Sequence, residues 1–390
     1  MKPDTLIAHA GRHPEDHHGA VNPPVYRVST VLHPTVADLE ESGRLRFDKM
    51  TYGRYGTPTT FALEEAVAAL EGGHRAIATS SGLAAIAGAL CAFVKAGDHI
   101  LVTDSAYFPT RRFCDTVLKG FGVETTYYDP LIGSGIASLM RPDTRVVLLE
   151  SPGSLTFEVQ DVPAIAAAAH AGGAVAIMDN TWGTPLFFKP FEKGIDVSLQ
   201  AATKYIVGHS DAMLGIVTTT KEHFLRVKTS ISTFGYSAGS EEVYLALRGL
   251  RTLAVRLRQH QETGILLANW LRTRAEVARV MHPALHDDPG HPLWFRDFDG
   301  ACGLFGVCLK PCPKGAVDAF LNSLTLFGMG YSWGGFESLI VPTSDAIERT
   351  ASPWAPPGPT LRIHAGLETP DDLIADLERG FAALRGVLSG

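Results

Sequence analysis

The chain has 390 residues, 45% hydrophobic and 19% charged, with a net charge of −7 at neutral pH. Its length and apolar fraction suffice for a large core and more than one domain, which excludes a disordered or fibrous chain, and a pI near 6.1 gives no basic footprint for nucleic acid. Five cysteines (Cys91, Cys114, Cys302, Cys308 and Cys312) without a CxxC pair point to small core residues in a reducing cytoplasm rather than a disulfide framework, and no apolar run reaches membrane-spanning length.

Residues 1–58 open on "MKPDTLIAHAGRHPEDHH", which lacks the apolar region of a secretory signal. Rich in Pro, His and Gly and without sustained periodicity, they are expected to form an extended arm that packs on another body, either this subunit or a neighbour. From Thr59 the texture changes. "TTFALEEAVAALEGG" predicts a helix closed by Gly72 and Gly73. Strands and helices then alternate: "RAIATS", "HILVT", "VETTYY", "RVVLLE", "AVAIMDN", "VSLQAAT" and "LGIVTTT" predict strands. "GLAAIAGALCAFVKAG", "FPTRRFCDTVLKGFG" and "VPAIAAAAHAGG" predict helices. Apolar runs without alternation are what a mostly parallel sheet covered on both faces requires. Residues 240–273 predict one long helical stretch bridging to a second, smaller α+β domain. There "GLFGVCLK", "FESLIVP" and "TLRIHAGLE" predict strands, and "GAVDAFLNSL" and the segment from Thr369 predict helices. The expected division is an arm over 1–58, a large α/β domain over 59–245 and a C-terminal domain over 246–390.

In such a sheet, ligands sit at the carboxyl ends of the strands. Three predicted strand ends carry polar residues and are expected on one edge. Ser80-Ser81-Gly82 runs into a helix, whose N-terminus suits a phosphate, although Ser80 or Ser81 could equally be a plain helix cap. There is no GxxxxGK[ST], so a common nucleotide site is not indicated. Asp179 is either a structural carboxylate or a partner for a cation. Lys204 is either a lysine with a buried stem and a solvated head or an amine whose desolvation lowers its pKa and makes it nucleophilic. Together the three fit a pyridoxal phosphate pocket: phosphate on the helix terminus, Asp179 against the pyridinium nitrogen, Lys204 as the covalent anchor.

"QAATKYIVGHSDAMLG", "LLESPGSLTFEVQDVPAI", "MDNTW", "YGRYGTPT", "RGLRTLAVRLRQH" and "YSWGGFESLI" closely resemble the Cys/Met-metabolism family of pyridoxal phosphate enzymes, over about Thr5 to Leu384. The resemblance implies an aspartate-aminotransferase-like, fold type I architecture with a seven-stranded sheet in the large domain. It implies that Tyr107 stacks on the cofactor ring, that the N–H groups of Gly82 and Leu83 and the Thr203 hydroxyl hold the phosphate, and that Tyr52 and Arg54 reach a neighbouring subunit's cofactor. It further implies that Arg362 grips the substrate carboxylate, with Ser332 and Trp333 lining the pocket and Tyr52 also contacting the substrate. Lys204 would both hold the cofactor and move protons, either Lys204 or Tyr107 would supply the proton to the departing thiolate, and Asp179 would keep the ring nitrogen protonated. Ala201 departs from the serine that many branches carry there, which costs one possible phosphate ligand.

The implied activity is β-elimination of L-cystathionine in methionine biosynthesis and transsulfuration, with cysteine S-conjugates as further substrates, in a cytoplasmic homotetramer built from two active dimers. The alternatives are a γ-lyase, γ-synthase or O-acylhomoserine sulfhydrylase, or a non-catalytic regulator on the same fold. "HPEDHH" has no metal-ligand spacing. His209 and Asp211 are assigned no chemistry. "RGLRTLAVRLRQH" has the spacing of a helix packed on one face rather than a nucleic-acid helix.

Overall fold

A computed structural model describes residues 1–389. The seven predicted strands form one sheet: β1 (Arg75–Thr79), β2 (His99–Thr103), β3 (Glu124–Tyr128), β4 (Thr144–Glu150), β5 (Val175–Asp179), β6 (Val197–Gln200) and β7 (Gly215–Thr219), in the order β1-β7-β6-β5-β4-β2-β3. β2 to β6 pair in parallel, and β7 runs antiparallel to both β6 and β1. β1 therefore points the same way as β5 and β6, and the carboxyl ends of these three strands share one edge, as expected from the sequence.

Period-2 alternation explains the unbroken apolar runs. Ile77, Ile100, Val102, Val146, Leu148 and Ile177 enter one buried cluster with the helix Gly82–Phe93. Ala76, Leu101, Val147, Leu149, Ala176 and Met178 enter the cluster on the opposite face with the helix Pro58–Glu71. That second helix starts on a Thr57 cap and ends at Gly72.

A second sheet, in the order β10-β11-β9-β8, holds β8 (Val277–Met281), β9 (Leu304–Leu309), β10 (Leu339–Pro342) and β11 (Thr360–His364), all antiparallel. It packs on the helices Lys314–Asn322 and Pro370–Ser389 around a core of its own.

Three expectations need correction. The stretch 240–273 is two helices, Ser240–Leu250 and Leu253–Leu271. The buried Arg256 guanidinium donates to the Gly249 carbonyl at the junction at 2.8 Å and to the carbonyl of Tyr205, outside it, at 2.8 Å. The arm is not wholly extended: it contains the helix Pro3–His9 and a helix Val36–Arg44 that Thr35 and Asp38 cap reciprocally. The strand β8 was not anticipated. Among the described residues, no helix is long and apolar enough to cross a membrane, no group of three or more potential metal ligands converges, and the five cysteines are free thiols.

Candidate active site

Ser81 caps the helix that leaves β1, its hydroxyl accepting from Ala84 N at 3.1 Å. The two preceding N–H groups, of Gly82 and Leu83, have no acceptor among the described residues, and Leu83 is 40% exposed. They are free donors at the positive end of a helix. A side chain at Gly82 would bring its Cβ to 2.8 Å from the Ala201 Cβ, so the close approach of this turn to the end of β6 requires glycine.

Asp179 ends β5. Among the described residues its protein hydrogen bonds fall on one oxygen, Oδ1, from Thr181 N at 2.9 Å and Thr181 Oγ1 at 2.5 Å, leaving Oδ2 for a further donor. Burial raises its pKa, and the Thr181 bonds and the Lys204 charge oppose that. Thr181 Oγ1 also accepts from Ala201 N at 2.9 Å, tying the ends of β5 and β6 together.

Lys204 follows β6 in a tight turn closed by Lys204 N to Ala201 O at 3.0 Å. Its Nζ donates to Ser332 Oγ at 2.6 Å and lies 5.2 Å from the Trp333 ring centroid. Burial, and then the Arg362 charge, lower its pKa to about 8, against the pull of Asp179. Arg362, on β11, donates from Nη2 to the Ser332 carbonyl at 2.9 Å, which leaves Nε and Nη1 without a protein acceptor among the described residues. Ser332 and Gly334 both have positive φ, 76° and 87°. At Gly334 a Cβ would stand 3.0 Å from the Lys204 backbone, so this loop can cross the lysine only as glycine. The strained Ser332 backbone is held in place by Lys204 and Arg362.

Tyr107 presents an aromatic ring 45% exposed at the same edge, and its N–H donates to Glu150 Oε2 at 2.6 Å. Burial, then Glu150 and Asp179, raise the phenol's pKa, and Arg362 lowers it. Glu150 was missed in the sequence reading. It ends β4 directly beside Asp179 in register, and burial and Asp179 hold its carboxyl well above the usual range. An acid ending a buried strand is the signal that picked out Asp179, and it applies equally to Glu150.

The structure thus brings together Lys204, Asp179, Tyr107, Gly82, Leu83, Ser332, Trp333 and Arg362. Thr203 is beside them, but its hydroxyl is engaged with Leu214, donating to the carbonyl at 3.1 Å and accepting from the N–H at 2.9 Å. Tyr52 and Arg54 are not joined to this group. Arg54 donates to the Ser232 carbonyl and lies 4.7 Å over the Tyr55 ring, in a cleft with Arg46 and Phe47. His209 Nδ1 lies 2.7 Å from the Val207 carbonyl, and Asp211 is exposed. A group with a phosphate, a cationic ring nitrogen and an amine-reactive carbon matches this donor set: unsatisfied helix N–H groups, a carboxylate with one oxygen spare, and a desolvated amine.

The lowered lysine pKa has a direct readout. In cofactor-stripped protein, an amine-selective reagent is expected to label Lys204 with a midpoint near pH 8, against about 10.4 for an ordinary lysine. Asp179→Asn removes the one charge that favours the protonated amine and is expected to move the midpoint lower still. Peptide mapping of the labelled site across pH checks both.

Comparison with known proteins identifies the family. The family model described as "Cys/Met metabolism PLP-dependent enzyme" matches residues 4–382. A protein of Rhizobium johnstonii named putative cystathionine beta-lyase is 49% identical, over 98% of this chain and 97% of its own length. A cystathionine beta-lyase of Salmonella typhimurium is 44% identical over 98% of each. The crystal structure of metB from Corynebacterium glutamicum superposes with a TM-score of 0.91 at 31% identity, covering 98% of both chains.

Proposed function

The chain belongs to the Cys/Met metabolism PLP-dependent enzymes, and from that premise we infer that it is a carbon–sulfur lyase that splits L-cystathionine by β-elimination into homocysteine, pyruvate and ammonia. The observation that carries this reading is the contact of Lys204 Nζ with Ser332 Oγ at 2.6 Å, beneath Trp333 and next to Arg362. A proton-moving amine and a carboxylate grip share one small loop.

When bound, pyridoxal phosphate supplies a cationic conjugated ring that takes up the electron pair left when the α-proton departs. Lys204 would hold it through Nζ, with Asp179 Oδ2 at the ring nitrogen, Tyr107 on the ring face, and the N–H groups of Gly82 and Leu83 at the phosphate. Thr203 would join the phosphate only by releasing the Leu214 carbonyl.

Arg362 fixes the substrate's α-carboxylate with the donors it has free. Lys204 Nζ, with a pKa of about 8, is suited to take the α-proton near neutral pH and to return a proton to the departing sulfur. Ser332 Oγ holds the amine on the substrate side. The Trp333 indole walls the pocket beside it, which restricts the tilt of the substrate chain that γ-elimination needs for a second proton removal at Cβ. Identification of the keto acid released from L-cystathionine tests the reading, with pyruvate expected.

We also propose the division into an arm (1–58), a large domain (59–245) and a C-terminal domain (246–390), and a cytoplasmic homotetramer of two active dimers. Tyr52 and Arg54, remote from Lys204 in their own chain, would complete the neighbour's phosphate site. Mixing Arg54→Ala chains with Lys204→Ala chains is then expected to restore activity to about a quarter of wild type at most, because random pairing leaves one intact site in half of the dimers. An assay after demonstrated subunit exchange checks this, and absence of any rescue counts against a shared site.

A further inference from the structure

The Asp104 carboxylate, at the end of β2, is buried and receives an unusual number of donors from one distant segment. Thr350 N reaches both oxygens at 3.0 and 2.9 Å, Thr350 Oγ1 reaches Oδ1 at 3.1 Å, and Ala351 N and Ser352 N reach Oδ2 at 2.8 and 3.0 Å. Arg111 Nη2 donates to Oδ1, and Arg111 Nη1 donates to Thr350 Oγ1 at 3.3 Å. The Arg111 guanidinium lies 3.7 Å over the Tyr127 ring, which fixes it in place. Three successive backbone N–H groups converging on one anion form a nest, here filled by a side chain of the same protein.

The donating segment is the excursion 344–359 between β10 and β11. Its base is closed by Thr343 and Thr360, Thr343 N donating to Thr360 O at 2.9 Å. Beyond the 3-10 turn Ser344–Ala346 it has no regular structure, and it contains Pro353, Pro356, Pro357 and Pro359. Besides Asp104, it is held by Arg349 on Glu158 at 2.8 Å and by Trp354, which packs on the core shared with the seven-stranded sheet. Two carboxylates of the seven-stranded half thus hold a strap that belongs to the four-stranded half.

What lies at each end of this contact gives it a function. Asp104 is three residues before Tyr107. The strap runs directly into β11, on which Arg362 stands two residues after Thr360. Lys204 and Tyr107 belong to one half of the molecule and Arg362 to the other, and the strap ties the two together beside the site.

We propose that Asp104 is a positioning residue for the substrate's carboxylate. By holding the 350–352 N–H groups it sets β11, and with it Arg362, at the distance from Tyr107 and Lys204 that an amino-acid substrate must span. Asp104 touches neither substrate nor cofactor. The inference rests on the reading of Arg362 as the carboxylate grip.

Asn is the discriminating substitution, since its NH2 group would face donors where Asp104 now accepts. The test measures kcat, KM for L-cystathionine, melting temperature and the visible cofactor band in loaded D104N, T350V and R362A enzymes. D104N is expected to raise KM about tenfold or more while kcat changes less than about threefold and the band persists, the pattern of lost uniform binding. T350V, which loses only the hydroxyl's two bonds, is expected to raise KM about two- to threefold with its fold intact, and it decides the matter alone if D104N does not fold. A lower melting temperature with KM unchanged in the folded variants would make the strap purely structural and overturn the proposal. A fall in kcat with KM fixed would overturn it as well. If R362A leaves KM unchanged, the reading of Arg362 fails and takes this inference with it. If R362A raises KM while D104N and T350V do not, this inference alone fails.

Discussion

Lys204→Ala is expected to abolish the visible absorption band of the lysine-bound cofactor and to lower turnover by at least about 10³-fold, the scale of a positioned proton-transfer group together with loss of the covalent anchor. Two other lysines in the large sheet's half cannot substitute. Lys189 Nζ is committed to the carbonyls of Leu70 and Pro185, at 2.6 and 2.5 Å, and Lys228 is buried against Glu64. The fold is expected to survive, because among the described residues the only side-chain hydrogen bond of Lys204 is to Ser332. The spectrum of the purified variant and its rate on L-cystathionine check the prediction. A retained covalent cofactor with normal activity would refute the role.

Arg362→Ala is expected to cost about 10²- to 10⁴-fold in kcat/KM, from two charge-assisted hydrogen bonds worth about 1.5–3 kcal/mol each. The loss combines two effects. The substrate carboxylate loses its partner, and the Ser332 carbonyl loses the Nη2 donor that helps hold the positive-φ loop over Lys204. A second consequence follows from charge. Arg362 is the cation that, after burial, lowers the Lys204 pKa, so without it that pKa rises. The acid limb of the rate–pH profile is therefore expected to move to higher pH in R362A, and steady-state kinetics across pH reads both effects. Arg362→Lys keeps the charge and not the fork, and is expected to keep the pH limb while still losing most of the affinity.

The seven-stranded sheet was legible because most of its strands are apolar runs of the right length alternating with helical segments (β3, Glu-Thr-Thr-Tyr-Tyr, is the polar exception), and the site edge was legible because a polar residue closes three of those runs. The direction of β7 was not legible, because its pairing with β1 is set by the fold and leaves no local mark. β8 was missed because it carries no unbroken apolar run: Ala278 and Arg279 lie in solvent. The split between the helices Ser240–Leu250 and Leu253–Leu271 was not legible because no Gly or Pro pair marks it, and the Arg256 side chain that binds the Gly249 carbonyl there is anchored on Tyr205, far away in sequence. Tyr107, Arg362, Ser332 and Trp333 came from the family resemblance, since composition and spacing do not distinguish them. Glu150 and Asp104 both end buried strands and carry the signal that marked Asp179. The partners of Asp104 are backbone N–H groups at 350–352, which no residue type announces.

The most direct test of the β-elimination reading is the identity of the products from pure L-cystathionine, separated and quantified after complete turnover by the loaded enzyme. Pyruvate, ammonia and homocysteine in equal amounts are the predicted result, from Arg362 holding the carboxylate, Lys204 removing the α-proton, and Trp333 limiting how the chain can tilt. 2-Oxobutyrate and cysteine as the main products would contradict it and place the chemistry in the γ-eliminating branch.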